Sequence, residues 1–167
     1  ATFSVLLFGS RYDVSFESEN NNALVGMPID ASASLATNAD ITTNQTFTWN
    51  LPVVMATGTL TVNGGQMPSS SGLARRGYVN FYNRLSGSRL YLPIGASGPA
   101  TFSALLFGST YDVGFDSEDN TSLVGMPIDA SASLATNANL STTQAFTWNL
   151  PVVTATGTLT VNGGQMP

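Results

Sequence analysis

The chain has no cysteine, no histidine and no lysine, and charged residues fill only 9% of its 167 positions. Each absence removes a chemistry. Without histidine there is no Ser-His-Asp triad, no imidazole acid or base, and no His-ligated zinc. Without cysteine there is no thiol nucleophile, thiolate metal site or disulfide, so cysteine usage says nothing about the redox compartment. Without lysine there is no Schiff base and no P-loop lysine. A carboxylate pair or a bound metal is what remains for catalysis. The charged fraction is far below the roughly 25% of an average soluble domain. No apolar run approaches the roughly 20 residues of a membrane-crossing helix, and no membrane span is expected. Disorder is excluded, because 43% hydrophobic and 10% aromatic residues suffice for a core. The chain opens with the small residues ATFS, as a signal peptidase would leave them, which predicts a secreted, extracellular or particle-surface protein.

What the sequence does contain is itself, twice. TLTVNGGQMP stands at residues 59–68 and again at 158–167. A shift of 99 residues aligns 1–68 with 100–167 without a gap; 13 positions differ and 55 are identical. Three segments follow: a first β module at 1–68, a basic linker carrying a hairpin at 69–99, and a second β module at 100–167. The two modules carry net charges of −4 and −5, and the linker carries +4 from Arg75, Arg76, Arg84 and Arg89. Opposite charge on adjoining segments predicts docking, within the chain or between chains, with Tyr78 and Tyr82 beside those arginines as interface candidates. Arg75-Arg76 in its Ser/Gly context also reads as a protease site. The overall negative charge argues against nucleic acid as a partner.

The local pattern is that of strands. Apolar Tyr12, Val14 and Phe16 alternate with polar Asp13, Ser15 and Glu17. TFSVLLF, QTFTWNLPVV and TGTLTV are apolar, aromatic or β-branched. Asn63-Gly64-Gly65 marks a hairpin turn, since Asn and Gly tolerate positive φ. GYVNFYN and RLYLPI form a second hairpin around LSGS, spanning 78–94. ALVGMPI reads as a short apolar segment broken by Gly26 and Pro28, and ASASLATNA as loop or strand with a short helix as the alternative. One 99-residue period then holds seven or eight strands, which predicts an all-β fold of β-sandwich or jelly-roll type with a pseudo-repeat of period 99.

Three groups of residues are site candidates. Asp13, Glu17 and Glu19, and again Asp112, Asp116, Glu118 and Asp119, supply carboxylates at strand spacing next to Asn-rich loops, the oxygen-donor type that calcium takes. Their competing reading is a solvated strand face, and no carboxyl stands isolated in an apolar pocket as glycoside hydrolysis needs. Trp49 and Trp148, in FTWNLP, are candidates for stacking on a glycan ring or for core packing. Asn44, Asn120 and Asn139 begin N-x-S/T sequons and are candidate glycosylation sites.

These features together predict a non-enzymatic structural protein that self-assembles with copies of itself through β-strand contacts. An extracellular filament, a surface layer or a virion decoration would fit. The alternative is a tandem carbohydrate- or surface-binding module with glycans as partners. Because the second module is not followed by a second hairpin, two arrangements are open. The hairpin serves both modules as the centre of a pseudo-twofold domain, or a neighbouring chain supplies the missing strands.

Overall fold

Alternating side chains and Asn-Gly turns decide the architecture, and every regular element among the described residues is a strand. The computed structural model describes residues 1–19, 25–118, 123–161 and 164–165. In chain order the strands are β1 (Ser10–Glu17), β2 (Ser32–Ile41), β3 (Val53–Val62), β4 (Gly65–Gln66), β5 (Arg75–Asn83) and β6 (Arg89–Gly95). They continue as β7 (Ala100–Phe107), β8 (Ser109–Ser117), β9 (Ser131–Leu140), β10 (Gln144–Leu150), β11 (Thr160–Val161) and β12 (Gly164–Gln165).

Two of the sheets form a sandwich. One has the order β6-β5-β8-β9 with antiparallel neighbours; in the other, β3 lies between β7, antiparallel, and β10, parallel, with β4 hairpinned onto its end. The core between them takes Val54, Ala56 and Leu60 from β3, Val79 and Phe81 from β5, and Ile94 from β6. Phe102 and Leu106 of β7, Tyr111, Val113 and Phe115 of β8, Leu140 of β9 and Leu150 of β10 complete it. Phe81 sits edge-on to both Phe102 and Tyr111, at 5.8 and 6.1 Å, so the two sheets meet on aromatic contacts. The hairpin turn 63–64 has positive φ at both residues, 50° and 77°, which is why Asn-Gly stands there.

The all-β class is as expected, but the folding unit cuts across the three sequence segments. The core draws on residues 54 to 150: β3 comes from the first module, β5 and β6 from the linker, and β7 to β10 from the second module. The hairpin β5–β6 is not the centre of a pseudo-twofold domain: among the described residues β5 pairs with β6 and β8, while its core face packs on β3 of the first module. The segment ASASLATNA is a strand in both copies, β2 and β9, and not a helix. Its serines alternate outward, with Ser131 and Ser133 exposed while Ala132 and Leu134 pack on the core. The described part of ALVGMPI is a turn and bend with positive φ at Gly26 and Gly125.

The pairing of β1 with β2 repeats that of β8 with β9 to the residue. Ser10↔Ile41 and Tyr12↔Ala39 match Ser109↔Leu140 and Tyr111↔Ala138, with bulges at the same places. At each bulge an Asn takes a left-handed conformation, Asn38 and Asn137, both with φ 54°. Its amide donates to the aspartate across the hairpin, Asp13 at 2.7 Å and Asp112 at 2.9 Å. Each hairpin is also fastened by a tyrosine hydroxyl that donates to a carbonyl four residues back, Tyr12 to Phe8 and Tyr111 to Phe107, both at 2.7 Å. Yet among the described residues β1 and β2 pair with each other alone.

Candidate functional site

In the intact sandwich the centre of the β7-β3-β10 sheet is built on a glycine. Gly58 of β3 stands opposite Phe102 of β7 and Phe146 of β10. A Cβ on Gly58 would overlap the Phe102 ring, so the missing side chain is what lets the ring cross the strand. Phe102 stacks on Trp148 at 5.5 Å and Trp148 on Phe146 at 4.6 Å, with interplanar angles of 9° and 13°. At the far end, the Asn63 carboxamide holds the backbone of Val152, donating to its carbonyl (3.0 Å) and accepting from its amide (2.9 Å).

The other copy of this sheet is open. Residues 1–8 and 45–51 have nearly the same sequence as β7 and β10, but they form no strand. Phe3 is 74% exposed where Phe102 is 7%, and Phe8 is 92% exposed where Phe107 is 1%. Nevertheless the aromatic trio keeps its arrangement: Phe3 stacks on Trp49 at 6.2 Å and 3°, and Phe47 on Trp49 at 5.0 Å and 8°. Tyr12, Val14 and Phe16 are half-buried, whereas Tyr111, Val113 and Phe115 are fully covered. In the counterpart of β3, residues 152–161, positions 153–160 are likewise uncovered: Leu159 is 71% exposed against 1% for Leu60, and Val153 is exposed where Val54 is buried. An open apolar sheet face and the strand sequence that covers its twin thus lie in one chain. Such exposed apolar surface marks an interaction site.

The residues singled out from the sequence fall elsewhere. Arg75 makes a two-pronged ion pair with Glu118 (2.9 and 3.0 Å) and lies over the Tyr78 ring at 4.7 Å; the Glu118 hydrogen bond raises its pKa. Arg84 pairs with Asp112 at 3.2 Å, and Arg89 lies over Tyr82 at 5.2 Å. The opposite charges therefore dock within the chain, between β5–β6 and β8. Arg76 is corrected from interface residue to core residue. It is fully buried, donates to the carbonyls of Gly95 (2.5 Å), Met67 (3.0 Å) and Pro68 (3.5 Å), and burial lowers its pKa. A strand paired on both sides and anchored by this buried guanidinium does not present Arg75-Arg76 to a protease.

The carboxylates are engaged rather than gathered. Asp116 accepts from Asn80 and Ser131, both at 2.7 Å, Asp13 and Asp112 serve the bulges, and Glu118 holds Arg75. Among the described residues, Glu17 and Glu19 included, no three acids converge on one point; Asp119 lies outside the described residues. Trp148 and Trp49 are stacked on their neighbours, and Trp148 packs on the core, which takes up the ring faces a glycan would need. Asn44 and Asn139 are exposed, and Asn120 lies outside the described residues. The outer face of β5, β8 and β9 carries an open groove of about 500 Å³ lined by Asn80, Tyr82, Arg89, Asp112, Asp116 and Ser131. Among the described residues no helix is long and apolar enough to cross a membrane.

Sequence reasoning missed Phe3, Phe8, Val153, Gly157 and Leu159. The signal available was the repeat itself, which places a second β3 sequence directly after Pro151.

No known family model and no curated protein matches the chain. Among solved structures it is similar to a DUF3823 family protein from Parabacteroides merdae, with 18% identity and a TM-score of 0.40 over 60% of this chain and 46% of that one. It is also similar to a leucine-rich repeat protein from Bacteroides thetaiotaomicron, with 15% identity and a TM-score of 0.28 over 72% of this chain and 16% of that one. The chain spans less than half of either protein, and likenesses this distant carry no argument about function.

Proposed function

We propose that the chain is a non-enzymatic structural protein that self-assembles with copies of itself through β-strand contacts, as the subunit of an extracellular filament, surface layer or virion decoration. One observation supports this above the others. Phe3, Leu7 and Phe8 are exposed, while Phe102, Leu106 and Phe107, 99 positions later, are buried on a strand that pairs with β3. A sheet face that its own twin shows to be a core face has a cover, and β-strand addition is the way a sheet gains one. The carboxylates support the non-enzymatic reading, since those with partners serve bulges, amides and arginines of the fold. The test is sedimentation velocity with electron microscopy across a wide range of protein concentration. Oligomers or filaments that grow with concentration are expected. A monomer at every concentration would overturn the proposal.

A further inference from the structure

The cover can be specified, because the intact unit is a template for it. In that unit the covering strand, β3, runs parallel to β10. Residues 45–51, the counterpart of β10, are joined to β3 through Pro52 alone. Parallel neighbours need a crossover of about a dozen residues or more, so residues 45–51 cannot take up the β3 that follows them. They need a β3 sequence from elsewhere. The chain holds two such sequences. Residues 53–62 are already paired on both sides, whereas residues 153–160 follow the anchored Val152 with exposed side chains.

Resting on the assembly reading above, we infer that residues 152–161 of one copy insert between residues 1–8 and 45–51 of a second copy. The register follows from the intact sheet shifted by 99. Val152 stands opposite Phe8, and Leu159 opposite Ala1 and Trp49. Gly157 lies between Phe3 and Phe47, as Gly58 lies between Phe102 and Phe146. Two features of the open sheet favour this occupant. The Phe3–Trp49–Phe47 stack already has the arrangement that the twin stack adopts around Gly58. A glycine also recurs at 157, where any side chain would meet the Phe3 ring. The partner is therefore a second copy of this chain, added end to end. In the junction β1, which among the described residues pairs with β2 alone, keeps an open edge, so the junction is weaker than the intact sandwich. It dissociates on dilution while the 53–150 unit stays folded.

Substitution of Gly157 separates the possibilities. In the free segment a Cβ there meets nothing within 4 Å and the backbone is not left-handed, so Gly157→Val leaves the folded unit and its thermal unfolding unchanged. In the junction it collides with Phe3, and association measured by sedimentation weakens at least tenfold. Because the chain has no cysteine, T2C and T158C chains mixed under oxidising conditions provide a second reading, since these positions are paired in the inferred register. A mixed dimer in excess over either like dimer is expected. Wild-type assembly that G157V leaves intact, or assembly without the mixed cross-link, overturns strand donation and leaves assembly by another edge. A mixture that stays monomeric while a T2C/T158C double variant closes on itself overturns both the inference and the assembly reading.

Discussion

Tyr111 and Arg76 put polar groups into an otherwise apolar core, and each is tolerated for a reason that can be named. The Tyr111 hydroxyl donates to the Phe107 carbonyl and receives a 3.4 Å contact from Asn83. Burial pushes its pKa up to about 12, against about 10 for an exposed phenol. A phenol whose folded pKa exceeds its unfolded one holds its proton more tightly when folded. Its contribution is complete below about pH 10 and is lost as pH climbs through about 12. Urea midpoints measured from pH 8 to 12 should therefore fall more steeply for the wild type than for Tyr111→Phe. At neutral pH that variant should be less stable by about 1 kcal/mol for the lost hydrogen bond. Equal slopes would mean that the hydroxyl reaches solvent. Among the described residues Arg76 has no carboxylate partner; three backbone carbonyls receive its guanidinium, and Nη2 has no hydrogen-bond partner there. The carbonyls belong to the segment after β4 and to the end of β6, so one side chain ties both to the start of β5.

At the scale of elements the chain is a controlled comparison, because nearly identical segments take different states. TFSALLF at 101–107 is strand, while TFSVLLF at 2–8 is not; QAFTWNL is strand at 144–150, while QTFTWNL at 45–51 is not. Propensity is the same within each pair, so β3 beside one pair and absent beside the other makes the difference. Amide exchange at concentrations below association should show 101–107 protected and 2–8 fast, with protection of 2–8 appearing as concentration rises. Protection of 2–8 in the dilute monomer would mean that the segment has a partner within its own chain. This also explains what was legible in the sequence. Alternation at Tyr12-Val14-Phe16, the Asn63-Gly64 turn and the 78–94 hairpin are local signals, and they gave the all-β class and most strands. The strand at ASASLATNA was ambiguous because its alternation is carried by small residues. The limits of the folding unit were not legible, since a repeat shows where sequence recurs and not which copies touch. Arg76 looked like a surface charge because nothing local announces the carbonyls that receive it.

For the whole molecule, the sequence period and the folding unit have nearly the same length but different phase. The repeat is read from residue 1, whereas the sandwich runs from β3 to β10, and this leaves an open half-sheet on one side and an uncovered strand sequence on the other. Arginine placement makes the phase measurable, because trypsin can cut this lysine-free chain only after Arg11, Arg75, Arg76, Arg84 and Arg89. Arg11 lies on β1, in a hairpin whose two strands pair with no other strand among the described residues and which meets the sandwich through Phe16, edge-on to Phe107 at 5.8 Å; two strands by themselves are marginally stable. Arg84 lies in the β5–β6 turn, where Asp112 and Asn137 hold it. Arg75 and Arg76 lie on β5, bonded on both sides, and the buried Arg76 side chain can enter a protease pocket only after the sandwich opens. Limited digestion followed by mass spectrometry should therefore show the cut after Arg11 first. The remainder should stay folded, and bonds after Arg75 and Arg76 should be cleaved no faster than the sandwich unfolds. Early cleavage at Arg75-Arg76 would mean that β5 detaches by itself and that the three segments of the sequence, not the span from β3 to β10, are the units that fold.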